Sequence, residues 1–229
     1  MDTDITALLN RQLRSLGEPR VNHKRVYRIM LHKGLLTQRH TGLRKGRVHD
    51  GVVRTLRSNT RWCSDGLEIA CWNGEVVRVA FLEDTCDREI IAWAASTRGF
   101  SGEMIRDMLL IAVEKRFGAY RAPHRVECLS DNGSCYIAAE TIDFALGLGL
   151  MPKFTPVRSP ESNGMSESFV KTFKRDYVRC NPRLDAKTVL AQLDGWFEDY
   201  NDVHPHSGLK MLSPREFIKA NSLLAACPV

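Results

Sequence analysis

From residue 60 onward the chain is β-rich, and one tight turn in it limits the architecture more than any other feature. Trp62 to Trp72 reads as a strand, Val76 to Leu82 as its return, and Asn73-Gly74 sits between them. A two-residue hairpin turn demands positive φ at its centre, which Asn and Gly adopt at little cost. Glu89 to Ala95 reads as a third strand after a turn near Asp84 to Asp87. Such a meander needs cover for its apolar faces, and the following residues supply it. A helix is expected over Ser101–Phe117, with Met104, Ile105, Met108, Leu109, Ala112 and Val113 on its buried side. A strand from Val126 to Leu129 ends at Asp131, a helix follows near Ala138–Leu148, and Lys153 to Thr155 forms a short strand. Helices then cover Met165–Arg179 and Ala186–Tyr200. The pattern predicts an α/β fold: a mixed five-stranded sheet flanked by helices.

The amino-terminal part has a different character. Ile5, Leu8, Leu9, Leu13 and Leu16 recur at helical spacing until Gly17 and Pro19. A second helix starts at Asn22, with Val26, Ile29 and Met30 on its apolar side and Lys24, Arg25 and Arg28 elsewhere. Two short helices joined by a tight turn fit a partial helix-turn-helix over residues 1–37, with residues 22–33 as the recognition helix. They also fit a packed helical hairpin with no DNA role. Residues 38–58 carry Arg39, Arg44, Lys45, Arg47, Arg54 and Arg57 among glycines and read as a basic linker, leaving 59–220 for the core.

Charge divides the chain along the same line. Residues 1–61 hold 14 Lys and Arg against 4 Asp and Glu, a balance of +10, while the rest balances to −4. A basic arm on a mildly acidic body suits a polyanion such as DNA, although a solvated basic face has the same composition. The seven cysteines include no Cys-x-x-Cys pair, so reduced thiols are expected rather than a disulfide framework. His23, His32, His40 and His49 lack paired cysteines at zinc-finger spacing. No apolar run approaches the roughly 20 residues of a membrane span, and the first residues do not resemble a secretory signal. The expected location is the cytoplasm, in association with the nucleoid.

Three acids carry the chemistry. Asp65 lies in the first strand, Asp131 ends the fourth, and Glu167 stands at the start of a helix with 35 residues between it and Asp131. Two carboxylates ~4 Å apart repel by roughly 1 kcal/mol in water and about 4 kcal/mol at an effective dielectric of 20. Converging acids therefore call for a cation, and Mg²⁺ is the natural partner of oxygen ligands. Two such ions suit in-line phosphodiester chemistry. Lys171 and Lys174 fall within about 40° of Glu167 on the helix surface, while Phe169, Phe173 and Tyr177 form a separate apolar stripe. Taken alone, the Glu–Lys column is also a plain surface pair. Ser64, Ser130 and Ser166 each neighbour an acid but lack a His partner, which argues against a serine nucleophile.

Several ordered segments then carry a family resemblance. They are Asn22 to Met30, Arg61-Trp62-Cys63-Ser64-Asp65-Gly66, Leu129 to Tyr136, Val157 to Gly164, Glu167 to Tyr177, Tyr200-Asn201, His204 to Ser207 and Ser213 to Phe217. In these the chain resembles insertion-sequence transposases with a retroviral-integrase-like core, of the insertion-sequence-three family and its insertion-sequence-two-like branch. The resemblance implies a ribonuclease-H-like core whose D,D,E metal triad is Asp65, Asp131 and Glu167, served by Mg²⁺ with Mn²⁺ as substitute. It implies single-strand cleavage at element ends, then attack of the freed 3′-hydroxyl on another phosphodiester, giving joined ends, a circle and integration. Its partners are element ends and target DNA, bound by a homo-oligomer. Asn163 and Gly164 match a flexible loop beside the site, and Lys171 and Lys174 match positions that grip the element end. Two departures stand out. The helix-turn-helix unit is shorter than the family's, and Ser207 to Leu212 reads Ser-Gly-Leu-Lys-Met-Leu where the family has Ser-(Ala/Gly)-Leu-Gly-Tyr. The rival expectation is a non-catalytic DNA-binding remnant or repressor of transposition.

Overall fold

The computed structural model describes residues 2–36, 55–155 and 164–225. The chain divides into two compact units, Asp50–Asn201 and the amino-terminal helices together with the segment from Asp202 onward. Most of the expected basic linker lies outside the described residues.

The larger unit is built on one five-stranded sheet in the order β3-β2-β1-β4-β5. Its strands are β1 (Arg61–Ala70), β2 (Val76–Asp84), β3 (Ile90–Ser96), β4 (Val126–Ser130) and β5 (Leu150–Phe154). The first three are antiparallel, while β4 runs parallel to β1 and β5 parallel to β4. The mixed sheet expected from the sequence is the one found. The first hairpin closes at Asn73-Gly74 but not as a two-residue turn: the Gly74 N–H donates to the Cys71 carbonyl, so Trp72 and Asn73 are the central residues, and only Gly74, at φ 92°, is left-handed.

Strand alternation sends side chains to two separate cores. On one face Trp62, Ala80 and Leu82 meet Ile105, Met108, Leu109 and Val113 of α3 (Gly102–Phe117), with Tyr136 of α4 (Ser134–Ile137) and Ala145 of α5 (Ala139–Gly147). Ser101 caps α3 by accepting from the Met104 N–H, and Gly118 ends it at φ 63°. On the other face Leu67, Ile69, Val77, Val79 and Phe81 pack against Phe169 and Phe173 of α6 (Gly164–Phe173). Leu193, Trp196, Phe197 and Tyr200 of α7 (Ala186–Asp202) complete this core. Each fully buried aromatic or branched side chain contributes on the order of 2 kcal/mol against solvent exposure. Asn201 does what a strand would do. Its side chain accepts from the Ile90 N–H at 2.9 Å and donates to the Ile90 carbonyl at 3.0 Å, tying α7 to the sheet edge.

The expected single helix Met165–Arg179 is two pieces: α6 stops at Phe173, and a π-helical turn runs from Lys174 to Val178. Tyr177, within that turn, is buried and stacked on Phe173 at 5.2 Å between ring centroids.

The smaller unit holds α1 (Asp2–Ser15) and α2 (His23–His32). Asn22 caps α2 as its sequence suggests, accepting from the Lys24 N–H. The apolar periodicity is only partly used. Val26 and Met30 are buried, but Ile29 is 52% exposed and Leu16 68% exposed, while Thr6 and Asn10 are buried instead. The Asn10 side chain explains its own burial by accepting from the Val21 N–H at 2.7 Å and donating to the Val21 carbonyl at 3.0 Å. This unit also contains α8 (Pro214–Ala225), entered through Ser213 and Glu216. The Ser213 N–H donates to the Glu216 carboxylate, and the Glu216 N–H donates to the Ser213 hydroxyl, a reciprocal capping box. No described helix is long and apolar enough to cross a membrane.

Candidate active site

Sheet register brings the first two acids together. β1 and β4 run parallel with Cys63 beside Leu129, so two residues further along come Asp65 and, just past the end of β4, Asp131. Both follow strand positions that point to the face covered by α6 and α7. The third acid stands on a helix that a tilted aromatic contact seats on the sheet. Asp65 is paired across the hairpin with Phe81, and the Phe81 ring lies 4.4 Å from that of Phe169. Phe169 is two residues beyond Glu167, about 200° round the helix, so its packing seats α6 on the strand that carries Asp65 while the Glu167 side chain is exposed. Phe169 also meets Tyr200 edge-on at 4.9 Å and Phe173 at 5.2 Å, which holds the helix against rotation.

Electrostatics register this convergence. Burial lifts the Asp65 carboxyl above the ordinary carboxylate range. The charges of Asp131 and Glu167 lift it further, against the opposing donation of the Gly66 N–H to Asp65 Oδ1 at 2.7 Å. Asp131 Oδ1 accepts from the Gly133 N–H at 3.0 Å, which turns the carboxylate back over its own loop. Among the described residues no three His, Cys, Asp or Glu side chains stand close enough to hold an ion as a group. The three carboxylates thus share a neighbourhood rather than a closed shell.

Supports invisible to motif spacing surround them. The Ser64 hydroxyl, on the opposite face of β1 from Asp65, hydrogen-bonds the Phe81 carbonyl at 3.0 Å and the Tyr136 hydroxyl at 2.7 Å. Tyr136 follows the Asp131 loop, so this buried link locks β1 to the segment that carries the second acid. Asn132 donates to the Thr155 carbonyl at 2.9 Å, fastening the end of β4 to the end of β5. Gly66 is required by space: a Cβ there would lie 2.6 Å from the Phe100 ring.

Of the other candidate residues, Lys171 is exposed on α6 and Lys174 is half-buried at the start of the π-helical turn. Lys24, Arg25 and Arg28 are exposed on α2, in the other compact unit. Asn163 and the loop before it lie outside the described residues. Asp84 and Asp87 serve the β2–β3 turn as sequence reasoning suggests, but they are also fully buried. Asp84 accepts from the N–H groups of Asn59, Cys86 and Asp87. Asp87 forms a two-pronged pair with Arg116 at 2.9 Å on both oxygens.

Comparison with known proteins bears on what this arrangement belongs to. Two family models, both described as integrase core domain, match residues 56–160 and 148–214. An insertion element IS136 uncharacterized protein of Agrobacterium fabrum is 63% identical over 190 residues, covering 82% of this chain and 97% of that protein. The transposase InsD for insertion element IS2D of Escherichia coli strain K12 is 52% identical over 216 residues, 94% of this chain and 72% of its own. The chain belongs to the insertion-sequence transposases with an integrase core. The fold of this transposase agrees with solved structures at low identity. A simian T-cell lymphotropic virus intasome chain, solved in complex with PP2A regulatory subunit B56 gamma, superposes with a TM-score of 0.57 at 17% identity, covering 93% of this chain and 73% of that one. The HTLV-2 integrase catalytic core, solved with magnesium, gives 0.52 at 12% identity over 72% of this chain and 99% of that one. The sheet order and flanking helices are those of the ribonuclease-H-like class.

Proposed function

We propose that the transposase cuts and joins DNA at insertion-sequence ends through Asp65, Asp131 and Glu167. The observation that carries this reading is the register of β1 and β4, which sets Asp65 beside Asp131, with the charge of Glu167, on the helix that Phe169 seats against Phe81, near enough to act on Asp65. A carboxyl raised first by burial and then by two neighbouring carboxylates fits a divalent cation, and the donor set is all oxygen, which favours Mg²⁺ with Mn²⁺ as substitute. When bound, the ions supply positive charge to the attacking and leaving oxygens of an in-line displacement. The protein's own part is to aim three carboxylates from two strand positions and one helix, and to keep that helix from turning. Each reaction exchanges one phosphodiester linkage for another, or for a hydrolysed end when water attacks, so positioning and charge are what the chain must provide. Lys171 and Lys174 would contact the DNA backbone beside Glu167, Asn163 the element end, and Lys24, Arg25 and Arg28 the DNA through α2. Residues 1–37 would act as the binding segment, 38–58 as the linker and 59–220 as the core, with two or more copies assembled on the paired ends. The intasome among the fold neighbours supports such an assembly.

Asp131→Asn and Glu167→Gln should each lower nicking and joining of labelled element ends by at least 10³-fold while leaving the circular dichroism spectrum unchanged. Wild-type joining by either variant would refute the assignment. Metal binding is tested without turnover. Millimolar Mg²⁺ or Mn²⁺ should raise the melting temperature of the wild type and not that of Asp131→Asn, since a ligand bound only to the native state stabilises it.

A further inference from the structure

We infer that the smaller unit carries a second DNA contact, a phosphate-backbone cradle formed by Arg14, Arg20 and Lys210, distinct from the basic side chains of α2. It rests on the reading of the chain as a DNA-acting enzyme. A cavity of about 90 Å³ lies between α1, the turn after it and the segment before α8. Five charged residues line it: Arg11, Arg14, Arg20, Lys210 and Glu216. Arg11 and Glu216 cancel each other. They form an ion pair at 2.5 Å, Arg11 also donates to the Val203 carbonyl at 2.7 Å, and Glu216 is engaged in the cap of α8. This pair rivets the two distant segments together. The other three cations remain exposed around one opening, and among the described residues none has an ion-pair partner.

The backbone shows that Lys210 is held there. Lys210 and Met211 are consecutive non-glycine residues at φ 57° and 66°, a left-handed pair that side chains disfavour. The turn is kept in place by hydrogen bonds from the Lys210 N–H to the Ser207 carbonyl and from the Met211 N–H to the His206 carbonyl, and by buried Leu209 and Ser213 on either side. The partner follows from the chemistry. Three long, exposed cations around one opening do not make a tailored pocket for a small anion. They match the regular negative charge of duplex DNA, whose binding is driven by counterion release.

The test is the salt dependence of binding, measured with the full chain in EDTA on a labelled 30-base-pair duplex. A triple variant, Arg14→Gln with Arg20→Gln and Lys210→Gln, should reduce the slope of log K against log salt by about two to three, at about 0.9 per phosphate contact. The loss should be equal on element-end and random sequence. A control that neutralises the exposed Arg98, Arg121 and Lys187 of the larger unit should change the slope by less than one. An unchanged slope in the first variant, or an equal fall in the control, overturns the proposal. So does a wild type that prefers duplex RNA and loses that preference in the variant. The outcome is independent of the catalytic assignment: binding in EDTA needs no turnover, and the same slope change is expected in an Asp131→Asn background.

Discussion

At the scale of single residues, the candidate site depends on groups that do no chemistry themselves. Gly66 follows Asp65 and faces the opposite core, where the Phe100 ring leaves no room for a methyl group. Gly66→Ala should therefore displace Phe100 and cost about 1–3 kcal/mol, the range for overpacking a filled interior. At about 2–4 °C per kcal/mol for a domain of this size, thermal melts should show it, and joining activity should fall with it because Asp65 is adjacent. An unshifted melting temperature would mean that the ring moves aside freely. Asp65 and Asp131 were legible as a pair because each closes a short, recognisable motif. Ser64 and Tyr136 were not legible as partners, although both stand in quoted motifs. Nothing in a hydroxyl's neighbours along the chain says that it will meet another 72 residues away.

Among elements, the existence of the hairpin, the cap of α2 and the order of strands and helices follow from local signals, and the structure agrees with them. Other details depart from local expectation. Helix α6 gives way to a π-helical turn at Lys174, and Tyr177 stays stacked on Phe173, its neighbour four residues back, across the change. Lys210 occupies the position where the related motif has glycine, and it takes the left-handed conformation that glycine would take. Helix α7 is joined to β3 by one amide, Asn201, which both accepts and donates at Ile90. Asn201→Asp replaces the donor with a second oxygen facing the Ile90 carbonyl. It should cost about 1–3 kcal/mol, the penalty for a buried polar group left unpaired, read as a lower urea midpoint. An unchanged midpoint would show that the amide donor is dispensable.

For the whole molecule, the larger unit buries acids that the site does not use. Glu83 is 1% exposed, and one of its carboxylate oxygens has no hydrogen-bond partner. Burial pushes its carboxyl from the ordinary 4.5 up to about 8, with Arg88 opposing and Asp84 and Asp87 adding to the rise. Burial, with Asp87 beside it, pushes Asp84 up to about 6. The folded chain therefore holds protons that the unfolded chain has released between these values. Stability must then fall as pH rises through that window, by up to about 1.4 kcal/mol per pH unit for each such group. Glu83→Gln should flatten the slope between pH 5 and 8 and raise the melting temperature at pH 8 relative to the wild type. An identical slope in the variant would show that Glu83 is not the group responsible.

What the sequence determined by itself is whatever neighbours along the chain can decide: the turn at Asn73-Gly74, the capping residues, the alternation that splits the sheet into two faces, and the spacing of three acids. These depend on backbone sterics and on hydrogen bonds spanning a few residues. What only the tertiary structure decided is how distant groups complete one another. Phe81 packs against Phe169, Asn201 closes on Ile90 across 111 residues, and Arg11 meets Glu216 across 205. No period or spacing rule carries such pairings, because they arise when the sheet register and the helix packing place side chains together. The same physics separates the smaller unit's apolar repeat from its real interior: Leu16 is exposed, while Asn10 is buried because Val21 satisfies its amide.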